Sequence, residues 1–319
     1  MRYDRDGFPI PPDFDPLPYA EDGRSAAPPL PGGPAANWAP APRRRAGGLK
    51  RSLIISLLLL GLPPAILGPE NVMKGIRMAV VRWSLDRAQE MEAEDDVGGA
   101  LVEVNRAVEW LGEDDATLLC YRAWLRLYTG DAPGAIDDAS RAAAIAPLAL
   151  PPLRVRGLAS VVSGDVEQAL ADATTVVDRS APGDPDALNH RAYVRALVGR
   201  KLPEALADID AALATVDEPA SAELLDTRGF ILHLLGRDQE ALEQMNEAIE
   251  GMLQQRRRVR FAGDDGVIAK LRLRTIEQGL AVMFQHRGLI CAKVGHEEQA
   301  RQDLAKAQAM GYDPQRGVF

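Results

Sequence analysis

Past residue 75 the apolar residues recur at helical spacing, in runs of about a dozen positions broken by short turns that carry glycine or aspartate. Sustained alternation of polar and β-branched residues is absent, so the pattern predicts an all-α fold. The runs also resemble one another. LLCYRAWLRLYTGDAPGAIDDASRAAAI (118–145) returns thirty-four residues later as LRVRGLASVVSGDVEQALADATTVV (153–177), with Gly130 matching Gly164 and Ala135 matching Ala169. Further copies start at residues 188, 224 and 284, and a weaker first copy spans 85–108.

Each copy reads as a closely packed helical hairpin. One helix carries a small residue where its neighbour approaches: Ala88, Ala123, Gly157, Ala192, Gly229 and Gly288. The other carries small residues seven apart, such as Ala135/Ala142 and Ala241/Ala248, on one face two turns apart. Small side chains let helix axes approach to the near end of the usual ~8–10 Å range. A glycine between the helices supplies the positive φ of a helix stop.

Period, small residues and turn glycine together resemble the tetratricopeptide repeat family over roughly residues 80–314. The family's Trp and Tyr positions are mostly absent here. The resemblance implies an α-α superhelix of about six hairpins, near 81–114, 116–149, 150–183, 185–219, 222–255 and 281–314, in a repeat domain 76–319. It also implies a concave groove lined by the first helix of each hairpin, including Trp124, Arg154, Asn189, Tyr193, Asp226, Phe230 and Gln285. The three aromatics suggest an anchor for an extended peptide or helix. The positions at which the family clamps a C-terminal carboxylate do not match, so that ligand is not carried over.

An arginine precedes the small residue of the first helix in every copy: Arg87, Arg122, Arg156, Arg191, Arg228 and Arg287. Sixteen or seventeen residues on, the second helix carries Glu103, Asp138, Asp172, Asp208, Gln244 or Asp303. Antiparallel hairpins bring these positions opposite each other. The spacing predicts an interhelical Arg–carboxylate bond in most repeats, for which the planar guanidinium permits a bidentate geometry. The competing reading is an arginine ladder gripping an acidic ligand. A carboxylate for nearly every arginine favours the structural one.

Between the last two copies the glycine spacing widens to 59, from Gly236 to Gly295. The inserted residues, 254–275, carry Arg256, Arg257, Arg258, Arg260, Lys270, Arg272 and Arg274 against Asp264 and Asp265. This local basic patch suits anionic lipid headgroups, an acidic protein surface or RNA, or its own acidic domain as a solvated helix extension.

Residues 1–50 hold eleven prolines and isolated aromatics, the composition of a disordered tail. RSLIISLLLLGLPPAIL (51–67) follows. No cleavage pattern accompanies it, so it does not read as a signal peptide. The expectation is a transmembrane anchor at 51–69, with a cytoplasmic tail and an extracytoplasmic repeat domain on the weak excess of basic residues before it. The opposing arithmetic is length: the fifteen residues 53–67 at ~1.5 Å each span ~23 Å against a ~30 Å hydrocarbon core. The alternative is a soluble, cytosolic, chaperone-like binder whose 53–67 segment packs on the repeats.

Charge narrows the partners. Residues 1–52 carry eight basic and six acidic groups, and the remainder 29 basic and 40 acidic. So acidic a domain argues against nucleic acid. Two cysteines 171 residues apart and four scattered histidines form no metal or catalytic spacing, and no cofactor motif is present. The expectation is a non-catalytic scaffold binding a protein or peptide, of unspecified oligomeric state.

Overall fold

The computed structural model describes residues 68–216 and 221–312, and the backbone of two short strands near the N-terminus. Those strands, β1 (Arg2–Tyr3) and β2 (Pro9–Ile10), pair antiparallel, with Arg2 opposite Ile10. The rest of the 1–50 tail and the 51–67 segment lie outside the described residues.

Twelve described helices form six antiparallel hairpins. They are α1 (Pro69–Ala93) with α2 (Val97–Leu111), α3 (Ala116–Tyr128) with α4 (Ala132–Ile145), and α5 (Pro151–Val162) with α6 (Val166–Arg179). Then follow α7 (Pro185–Leu197) with α8 (Leu202–Leu213), α9 (Ala222–Leu234) with α10 (Asp238–Phe261), and α11 (Val267–Lys293) with α12 (Glu297–Ala309). Aspartate starts many of them. The side chains of Asp96, Asp115, Asp131 and Asp165 accept the backbone N–H of Gly99, Leu118, Gly134 and Gln168, each satisfying an orphan donor of the first turn. Gly130 and Gly295 end α3 and the α11 segment with φ of 88° and 83°, a conformation costly for a residue with Cβ.

The small residues sit where the hairpins are tightest. Ala88, Ala123 and Ala192 of the first helices, and Ala100, Ala135, Ala205 and Ala241 of the second, are fully buried. A Cβ on Gly288 would lie 2.8 Å from Leu304 Cδ2, and one on Gly229 2.9 Å from Met245 Cε. The first helices stack in succession, α3 on α5, α5 on α7, α7 on α9 and α9 on α11, while α11 also reaches α1. The array therefore curls until its sixth hairpin meets its first.

The insertion makes that meeting possible. It is absorbed as extra turns at the end of α10 and the start of α11, with only residues 262–266 as a connection. The result is a long helical arm at the fifth-to-sixth junction.

The membrane placement expected from the sequence is corrected here. Among the described residues no helix is long and apolar enough to cross a membrane. The first described helix, α1, carries Glu70, Lys74, Arg77 and Arg82 in its first half and is not such a span.

Candidate functional site

The arginines come first, because they decide what the inner helices can offer. Arg122 Nε and Nη2 donate to Asp138 Oδ2 and Oδ1 at 2.7 and 2.6 Å. Arg156 grips Asp172 at 2.8 and 2.7 Å, Arg191 grips Asp208 at 2.8 and 2.7 Å, and Arg287 grips Asp303 at 2.7 and 2.9 Å. All four carboxylates are buried. Asp138 and Asp208 each hold a second arginine, Arg126 at 2.8 Å and Arg195 at 2.6 Å. These four inner arginines are committed across their own hairpins. The first and fifth hairpins differ. Arg87 reaches Glu90 at 3.5 Å while Glu103 takes Arg106 at 2.6 Å, and Arg228 crosses to Asp210 of the preceding hairpin at 2.7 Å.

The aromatics expected to line a groove are interior. Trp124, Tyr193 and Phe230 expose 3%, 4% and 2% of their surface. Tyr193 packs on Phe230 with centroids 6.3 Å apart, and Phe230 stacks on His286 at 4.5 Å. His286 Nδ1 and Asp226 Oδ1 are hydrogen-bond partners 2.9 Å apart, with both side chains wholly enclosed. Arg154, Asn189 and Gln285 are half-buried. Arg154 Nη1 donates to the Asp186 carbonyl at 3.4 Å, and burial lowers its pKa from the ordinary arginine value. The inner face is thus largely filled by the chain's own side chains. Burial also pushes the Cys120 thiol up to about 12, away from thiolate chemistry. Among the described residues no group of three or more His, Cys, Asp or Glu could hold a metal ion.

The structure opens a different site. A cleft of about 830 Å³ lies where the ends of the array meet. Its walls are the turn 93–98 after α1, Tyr128 and Thr129 at the end of α3, the α11 extension, and the C-terminal turn 310–312. Arg274 of α11 lines it. Its Nε donates to Asp95 Oδ1 at 3.1 Å, and Nη1 stands 3.5 Å from Glu92 Oε1. Its guanidinium lies 5.2 Å from the Tyr128 ring centroid. With the Gln278 amide turned to satisfy its neighbours, its oxygen accepts from the Tyr128 hydroxyl at 2.5 Å and from Arg274 at 3.1 Å. Glu92 in turn accepts the Tyr121 hydroxyl at 2.8 Å. Burial raises the Glu92 pKa, an effect larger than the opposing pull of Tyr121 and Arg274.

Sequence reasoning named Arg274 only as one of seven basic residues, and missed Glu92, Asp95, Tyr128 and Gln278. Arg274 and Asp95 are 179 residues apart, so no local spacing connects them. The surplus of basic residues in a sequence inserted between two repeats was the one available signal.

No protein-family profile matches the chain, and no curated protein matches it. Solved structures do. A tetratricopeptide repeat protein from Parabacteroides merdae is 17% identical, with a TM-score of 0.45 over 74% of this chain and 94% of that one. TTC0263, a TPR protein of Thermus thermophilus, is 24% identical, with a TM-score of 0.47 over 58% of this chain and 97% of its own. YrrB, described as a TPR protein with an unusual peptide-binding site, is 19% identical over 52% of this chain and 84% of that chain, with a TM-score of 0.38. All three are described as tetratricopeptide repeat proteins.

Proposed function

We propose that this chain is a non-catalytic interaction scaffold of the tetratricopeptide type, which takes a protein or peptide partner at the cleft between its first and sixth hairpins. The observation that carries the reading is the cleft: open, about 830 Å³, and lined by Glu94, Asp95, Lys270, Arg274 and Gln278. Side chains of both charges around such a mouth suit a polypeptide better than a small apolar ligand. A photo-crosslinking residue at Thr129, in the cleft, should give a discrete protein adduct in cells that make this chain. The same residue at Val102, exposed on α2, should not. Equal labelling from both positions, or none from either, overturns the reading.

A specific observation favours one addition, a chaperone-like arrangement in which residues 53–67 pack on the array. Immediately after that segment, α1 exposes Met73, Ile76, Met78 and Trp83, the last at 56%. An apolar strip of that kind calls for a cover, and the adjoining uncharged segment is the nearest supply. Amide exchange in α1 residues 72–83 should be slow in the full chain and fast in a Leu57→Lys/Leu60→Lys variant. Equal exchange in the two removes the addition.

A further inference from the structure

Arg274 is not bound as a surface ion pair usually is. Its side chain is only 12% exposed, it is forked between two carboxylates, it is covered by the Tyr128 ring, and the Gln278 amide oxygen accepts from it. The receiving side is built independently of it: Glu92 is 14% exposed and is held by Tyr121 of α3, while Asp95 sits in the left-handed turn, at φ 65°, that ends the first hairpin. That is a recognition site for a guanidinium, and the chain supplies its own.

The supplying element is attached lightly. Within 267–278 only Ala269 and Ile276 are buried, and Lys270 and Arg272 face solvent. Toward α10 the extension is held through Glu277, which accepts from Arg256 at 3.2 Å and Arg260 at 2.8 Å. Among the described residues, its ion pairs toward the first hairpin are those of Arg274. The arm can therefore stay folded on α10 while it parts from α1. Segments with few buried contacts open at the lowest cost.

We propose that residues 267–278 are an internal ligand of the first hairpin, and that a partner helix presenting an arginine takes the Glu92–Asp95–Tyr128 seat by displacing Arg274. This rests on the scaffold reading above, and it gives that reading a chemistry: the partner mimics LRLRTIEQ, with one guanidinium entering an acidic, aromatic seat. The arm then acts as a gate, since its release widens the cleft it now crosses.

Amide exchange on the full chain tests it. In Arg274→Ala the segment 267–278 should exchange about tenfold faster or more, while α5 to α8 keep their wild-type rates. Arg274→Asp combined with Asp95→Arg should recover much of the protection, which a merely destabilised arm would not do. A free peptide of residues 267–279, VIAKLRLRTIEQG, should slow exchange at 92–98 in the Arg274→Ala chain, and its own Arg274→Ala version should not. Unchanged exchange in Arg274→Ala, or equal effects of the two peptides, overturns the proposal. These readouts need no natural partner. A closed gate with no adduct from Thr129 would instead count against the scaffold reading alone.

Discussion

Hairpins two, three, four and six each carry a bidentate Arg–Asp pair across their own helices, and hairpins one and five do not. Both exceptions exchange ion pairs with the arm: Asp95 after α1 receives Arg274, and Arg256 of α10 holds Glu277. Where a hairpin holds its own guanidinium and carboxylate together, its register is set from within. Where it does not, ion pairs to a neighbouring hairpin or to the arm take over. A buried Arg–carboxylate pair adds little net stability compared with an apolar one, but it penalises a slipped register severely.

The largest effect should follow from orphaning a buried member of such a pair. Asp138→Ala leaves Arg122 and Arg126 facing an empty site and should cost about 3–5 kcal/mol in urea unfolding followed by helix signal. In the fifth hairpin, where Asp210 is 48% exposed, Arg228→Ala should cost less than about 1 kcal/mol. Comparable losses at both sites would erase the distinction.

Close approach gives the next contrast. Gly288→Ala should cost about 1–3 kcal/mol, because its Cβ would meet Leu304 and the Ala300 carbonyl. In Gly157→Ala the nearest atom, Asp172 Cβ, is 3.4 Å away. Better helix propensity should offset most of the strain, leaving a thermal midpoint close to wild type.

Acid should act through His190. Burial chiefly, and Arg154 secondarily, lower its pKa from 6.5 to about 3. Between these values the unfolded chain binds a proton that the folded chain refuses, so stability rises with pH across the window and is lost as pH falls below about 6.5. The slope from this group is at most about 1.4 kcal/mol per pH unit. Replacing His190 with Leu should flatten that part of a stability–pH curve, and an unchanged curve would exclude it as the cause.

The smallest effect should come from making the fifth hairpin resemble its neighbours. Gln244→Asp puts a carboxylate at the position used by Asp138 and Asp303. It should raise the opening free energy read from α9–α10 exchange by a few tenths of a kcal/mol at most, since Arg228 must give up Asp210 to use it. A large gain would mean that register in this hairpin is poorly set without it.

The hairpins were legible because close packing leaves a residue-type signature. Ala, Gly and the turn glycines recur where helices touch or stop, and those requirements are local. The Arg–Asp spacing was legible for the same reason, since both partners lie in one hairpin. The aromatics were not. Trp124, Tyr193 and Phe230 were expected to face a groove, but successive inner helices stack on one another and the three rings are buried among them. The Arg274 seat was less accessible still. Its residues belong to three hairpins, and their meeting depends on how far the whole array turns, a sum of small rotations that no window of sequence contains.

That closure changes how the chain can fold. An open solenoid has only neighbour contacts, so its units can form in any order and unravel from either end. Joining residue 95 to residue 274 adds a step of high sequence separation, which must wait until the hairpins between are in place. The two ends then protect each other from fraying, and a lesion in the sixth hairpin should be felt as lost protection in the first.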